Sequence, residues 1–265
     1  MSSSALIALR KACIPRDDVL QGGLADNHFA AQLDKVVRDA EHYPVYGDAD
    51  AFFAQTYPTS GLKTLLTKAF GRVTGAKGVA GENGVLRPTT SFGGGKTHGL
   101  TAVYHLANGA RPANIAEFLD PALLPGGPVQ VAALVGDALD PTAGVETDGH
   151  RTYTLWGEMA AQIGDQAFAA MEANDAQRTA PGTGTIKSSF GGAPTIVIVD
   201  EIAKYLRAVS SSGSEDVRRM ALAIPVFLGN LFEVASDPSN NVSVIITLAA
   251  TTNAFGAETT EISDL

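Results

Sequence analysis

Arg87-Pro-Thr-Thr-Ser-Phe-Gly-Gly-Gly-Lys-Thr-His98 joins a short apolar run, Gly84 to Pro88, to a stretch with helical periodicity from Lys96 onward. Three consecutive glycines let a backbone turn tightly and bring its N–H groups against an anion that side chains would obstruct. The helix beyond them aims its partial positive charge at the same point. The pattern therefore predicts a phosphate-binding loop between a strand and a helix. Lys96 would reach the β and γ phosphates, and the Thr97 hydroxyl would ligate Mg²⁺. Phe92, Gly93, Gly94, Gly95, Lys96, Thr97 and His98 are the candidate nucleotide contacts. The usual motif is G-x-x-x-x-G-K-[ST], and its first position here is Thr90. The alternative reading is a glycine-rich turn that binds nothing.

Thr195-Ile-Val-Ile-Val-Asp-Glu201 narrows the choice. Four β-branched apolar residues without alternation suit a strand buried on both faces, as in a parallel sheet flanked by helices. Ligands of such sheets sit at the carboxyl ends of the strands, where Asp200 and Glu201 fall. Asp200 is the second candidate metal ligand beside Thr97. Glu201 is the candidate general base for an attacking water. An Asp-Glu pair could instead cap the next helix, but seldom downstream of a GGGKT loop.

Composition agrees with an α/β protein. The 265 residues are 45% hydrophobic and 18% charged, ordinary values for a globular chain. A net charge of −9 argues against a broadly basic nucleic-acid surface. The single cysteine, Cys13, excludes an intrachain disulfide and fits a reducing cytoplasm. No run looks long enough for a membrane span, so a cytoplasmic location is expected.

Residues 1–80 read as a helical segment packing on a core that spans 81–265. Within it, Leu62, Leu65, Leu66, Ala69, Phe70 and Val73 form one stripe, with Lys63, Lys68 and Arg72 assigned to the opposite face. These cations, with Lys77 and Arg87, are read as a solvated helix face in preference to a nucleic-acid contact. From Gly84 strands and helices alternate: a loop helix from Lys96, a strand at 129–135, and one long helix from about Tyr153 to Ala173. A surface loop is expected at 178–194, then the Asp-Glu strand, two helices and a last strand at 242–249. Ser212 and Glu215 could form a capping box. Neither His98 nor His105 has a partner at metal-ligand spacing. P-loop ATPases with a catalytic glutamate place these strands in the spatial order first, fourth, third, second. That order brings the end of the last strand beside the phosphates, where Thr251 is the first candidate to orient the water and Asn253 its rival.

Tyr57-Pro-Thr, Gly61-Leu-Lys, Ser91-Phe-Gly-Gly-Gly-Lys-Thr-His98, Leu134-Val-Gly-Asp-Ala-Leu-Asp-Pro141, Leu155-Trp-Gly-Glu158 and Ile198-Val-Asp-Glu-Ile-Ala-Lys-Tyr205 together resemble the large prokaryotic AAA-like ATPases known as the domain of unknown function 499 family. Members begin the loop without the usual first glycine. The resemblance implies a nucleotide-binding ATP hydrolase (ATPase), with ATP and Mg²⁺ as cofactors. It implies the Walker A loop and Walker B strand already read from the residues, and genes that neighbour DNA modification or phage defence. It also implies that this chain is an N-terminal part, ending before the fifth strand and the helical lid. On this reading hydrolysis drives a conformational change in a larger assembly. A homo-oligomer would supply an arginine in trans, and a DNA-modifying complex is the expected partner. A nucleotide-binding switch with negligible turnover is the alternative, and a phosphotransferase a weaker one.

Overall fold

The computed structural model describes residues 20, 31–76, 83–88, 95–127 and 129–247. The chain divides into two compact units, Met1–Ala31 and Gln32–Leu265. In the first, only residues 20 and 31 are described. The second unit contains the sheet and the helices that cover it.

Its strands are β1 (Val85–Leu86), β2 (Gln130–Val135), β3 (Val145–Thr147), β4 (His150–Thr152), β5 (Thr195–Asp200) and β6 (Val242–Ile246). The helices are α1 (Leu33–Arg38), α2 (Ala49–Gln55), α3 (Ser60–Thr74), α4 (Lys96–Ala107), α5 (Leu155–Ile163), α6 (Asp165–Gln177), α7 (Thr183–Ser189), α8 (Ile202–Ser210) and α9 (Glu215–Ser236), with one helical turn at Pro44–Gly47. Four strands form a parallel sheet in the order β1-β6-β5-β2, and β3 and β4 make a separate antiparallel hairpin. The protein is thus α/β, with a parallel sheet and flanking helices.

The period-two geometry of strands divides the core. Ala133, Val135, Ile196, Ile198 and Ile245 pack with Phe53, Leu66, Phe70, Leu100 and Val103 from α2, α3 and α4. Ala132, Leu134, Val197, Val199, Val244 and Ile246 point the other way, against Trp156, Met171, Met220, Phe227 and Leu231 from α5, α6 and α9. Both faces of β5 are therefore covered, which is why its run carries no polar alternation.

β2 has β5 on one side only, and its other edge is closed by a side chain. Gln162 of α5 accepts from the Ala133 N–H at 2.7 Å and donates to the Ala133 carbonyl at 3.0 Å, standing in for a neighbouring strand. The same amide donates to Glu158 at 2.6 Å. Glu158 is fully buried yet fully engaged, since Arg38, Thr147 and Thr152 also donate to it at 2.7, 2.9 and 2.8 Å. One carboxylate thus ties α1, the β3–β4 hairpin, α5 and the sheet edge together.

Several local expectations change. The single helix read over 153–173 is two, with α5 ending at Gly164 and α6 beginning at Asp165, and the β3–β4 hairpin precedes them. The 178–194 stretch contains α7, whose Ile186 reaches the core with no exposed surface. The cap of α9 is Ser214, which accepts from the Val217 N–H. Arg72 does not belong to a solvated face. It is 3% exposed and donates to the carbonyls of Val242, Ala235 and Asp237 at 3.3, 2.7 and 2.6 Å, joining α3 to the α9–β6 connection. Burial pushes its pKa down, partly offset by the Asp237 carboxylate. Among the described residues one helix, α9, is long and apolar enough to cross a membrane. Its apolarity has another cause here: Val217, Met220, Ile224, Phe227, Leu228 and Leu231 are buried against the sheet.

Candidate active site

The site lies where α4 begins and β5 ends. Gly95 caps α4 with φ +74, a left-handed conformation that glycine adopts without penalty. It has no side chain to satisfy the first N–H groups of the helix, which leaves that end disposed toward an anion. Lys96 and Thr97 occupy the first turn. The Thr97 hydroxyl donates to Asp200 Oδ2 at 3.2 Å across 103 residues of sequence.

Asp200 is only 4% exposed, and its other oxygen is held as well. Thr247 Oγ1 makes a short hydrogen bond to Oδ1, and the Glu201 N–H donates to Oδ1 at 3.1 Å. Thr247 directly follows β6, whose register pairs Val199 with Ile246, so the two side chains meet at adjacent strand ends. Thr247 was not among the sequence candidates. The available signal was strand alignment: Thr195 pairs with Val242, and the same offset sets Asp200 beside the one threonine of the 242–249 run.

Glu201 takes up the left-handed region, φ 55, which is uncommon for a residue with a side chain and concentrates at functional sites. Its carboxylate lies 3.4 Å from Lys204 Nζ, which also reaches Asp137 Oδ2 at 2.9 Å. The chain is close-packed there. A Cβ on Gly136 would come within 2.3 Å of the Glu201 carbonyl oxygen, so only glycine fits between β2 and Asp137.

A cleft of about 720 Å³ opens on the other side of Lys96. Leu62, Leu65, Val85 and Leu86 give it apolar walls, while Lys68, Arg87 and Lys96 line it with cations and, among the described residues, no carboxylate does. That is a marked local bias in a chain of net charge −9. Tyr57 stands at this cleft 80% exposed, so its ring is not recruited by the core. His98 forms part of the wall but is turned toward the N-terminal helices. Its Nε2 lies 2.9 Å from Thr56 Oγ1, which itself donates to the Phe52 carbonyl, and its ring centroid lies 4.5 Å from that of Phe52. Burial lowers the His98 pKa, favouring the neutral ring.

One helical turn therefore connects two features, the cleft through Lys96 and the buried Asp200 through Thr97. Phe92, Gly93, Gly94, Thr251 and Asn253 lie outside the described residues. Among the described residues no group of three or more His, Cys, Asp or Glu side chains could enclose a metal ion. Thr97 and Asp200 nevertheless suit a hard cation that keeps most of its own water. Adjacent oxygens around Mg²⁺ at about 2.1 Å are about 3 Å apart, close to the observed Thr97–Asp200 spacing.

Fold and site together define an α/β protein whose parallel sheet brings a glycine-capped helix start against a buried strand-end carboxylate. The DUF499 N-terminal domain matches residues 8–263, and the chain belongs to that family. Comparison with curated proteins and with solved structures finds no match in either.

Proposed function

We propose that this chain binds ATP with Mg²⁺ and hydrolyses the β–γ bond, as an AAA-like P-loop ATPase of the catalytic-glutamate class. The observation that carries the reading is the Thr97–Asp200 hydrogen bond, which joins the GGGKT helix to the acidic strand end. The β1-β6-β5-β2 order supports it, because that order sets the loop strand two positions from the Asp-Glu strand. Lys96 and the first N–H groups of α4 stabilise phosphate charge. Thr97 and Asp200 hold the cation, which neutralises charge on the phosphate oxygens when bound. Thr247 fixes the Asp200 carboxylate, and Glu201 accepts the proton of the attacking water.

The nucleoside lies in the cleft beside Lys96, with the base against Tyr57. Tyr57→Ala is expected to weaken ATP binding about 5- to 150-fold, the range for losing one aromatic stacking face. Titration of a fluorescent ATP analogue checks this, and unchanged affinity would place the base elsewhere.

Neighbouring subunits lending an arginine, and a DNA-modifying complex that uses the conformational change, are proposed with this activity. One observation favours the rival reading of a nucleotide switch with slow turnover: the Glu201 carboxylate is paired with Lys204. Steady-state phosphate release by the whole protein separates the two. Magnesium-dependent turnover is expected. Tight ATP binding without phosphate release would favour the switch.

A further inference from the structure

The two carboxylates at the end of β5 are drawn to opposite sides. Asp200 is held by Thr97 of α4 and by Thr247 at the end of β6. Glu201 is paired with Lys204, one turn into α8, and Lys204 is anchored on Asp137 just beyond β2. In the sheet β2 and β6 flank β5 on different sides. The Glu201 carboxylate is thus directed toward β2, while the cation ligands and the helix start gather toward β6 and α4.

A general base works only within hydrogen-bond reach of the water it deprotonates. We propose that Lys204, braced by Asp137, is a latch that holds the Glu201 carboxylate on the β2 side of β5, and that its release lets Glu201 engage the water. Lys204 is a positioning residue in this scheme, acting only through Glu201. The proposal rests on the hydrolytic reading given above. Three features suit a latch rather than a permanent strut. Lys204, Glu201 and Asp137 are each 45% exposed in the side chain, and ion pairs so open to water are weak enough to exchange. Glu201 occupies a left-handed backbone conformation at the strand–helix junction, of the kind that clusters at switch regions. The backbone beneath it is pinned, with the Gly136 N–H donating to the Asp200 carbonyl at 2.8 Å, so the freedom resides in the side chains.

The test compares Lys204→Met with Lys204→Arg in steady-state phosphate release by the whole protein with Mg²⁺ and ATP. Lys204→Met is expected to raise kcat roughly 3- to 10-fold at unchanged KM, as removal of a latch favoured by that ratio would. Lys204→Arg, which can still bridge both carboxylates, keeps the wild-type rate. Asp137→Asn, which removes the brace, raises kcat in the same direction and serves if Lys204→Met does not fold. A kcat that is unchanged or lower in Lys204→Met and Asp137→Asn overturns the latch while leaving hydrolysis intact. If neither the wild type nor the variants release phosphate, the hydrolytic reading falls and the latch falls with it.

Discussion

Glu201→Gln is expected to lower kcat for phosphate release by about 10²- to 10⁴-fold, the usual contribution of a positioned general base, while ATP affinity stays within a few-fold of wild type. Glutamine keeps the shape and hydrogen-bonding reach of glutamate but cannot take a proton. The proposed cation ligands, Thr97 and Asp200, are separate groups with their own contacts, so nucleotide binding has no reason to change. Loss of kcat at constant KM is the signature of an interaction made only in the transition state. A stopped-flow or coupled phosphate assay reads it directly. Turnover equal to wild type would remove Glu201 from the chemistry and leave its left-handed backbone without a functional account.

The second large effect concerns stability. Arg72→Ala is expected to destabilise the protein by about 3 kcal/mol or more, because hydrogen bonds to a charged group contribute roughly 1.5–3 kcal/mol each and buried carbonyls would be left unpaired. For a domain of this size that corresponds to a fall in Tm of roughly 6–12 °C. The carbonyls concerned belong to Ala235, Val242 and Asp237, at the exit of α9 and the start of β6. Losing them loosens the connection that sets β6, and with it Thr247, in register beside Asp200. Arg72→Lys keeps the charge but not the fork and should recover only part of the loss. Thermal and urea unfolding measure both variants. A change under 1 kcal/mol for Arg72→Ala would mean that water replaces the guanidinium.

Arg72 also shows why some of the chain resisted reading. It stands seven residues after Leu65, two helical turns, and so lies close to the stripe that faces inward. Its charge disguised this, since what calls for a guanidinium there is a set of carbonyls from a connection more than 160 residues away. The β3–β4 hairpin escaped for a related reason: it is held by the buried Glu158 network, contacts among α1, the hairpin and α5 that no local pattern announces. The α5–α6 break is different, since it falls at Gly164, whose φ of 134 suits glycine, and reading the apolar spacing as one helix overran it.

The candidate site was more legible. Gly95, Lys96, Thr97, Asp200 and Glu201 stand out because each falls at the end of a strongly patterned element, where a parallel sheet gathers its chemistry. Thr247 was hidden inside an apolar run, and only the register with β5 distinguishes it from an ordinary strand threonine. The Lys204–Asp137 pairing depends on how closely β2 passes Glu201, a distance set by Gly136 and invisible before the strands are aligned.

The central claim is that Lys96, Thr97 and Asp200 serve one magnesium nucleotide. Equilibrium binding of ATP to the wild type and to Lys96→Ala, each with Mg²⁺ and with a chelator, tests it most directly. Wild-type binding should be magnesium-dependent, and Lys96→Ala should raise Kd by about 100-fold or more, as expected for removing a charge-assisted contact to phosphate. Equal affinity in the two proteins, with or without the cation, would contradict the account.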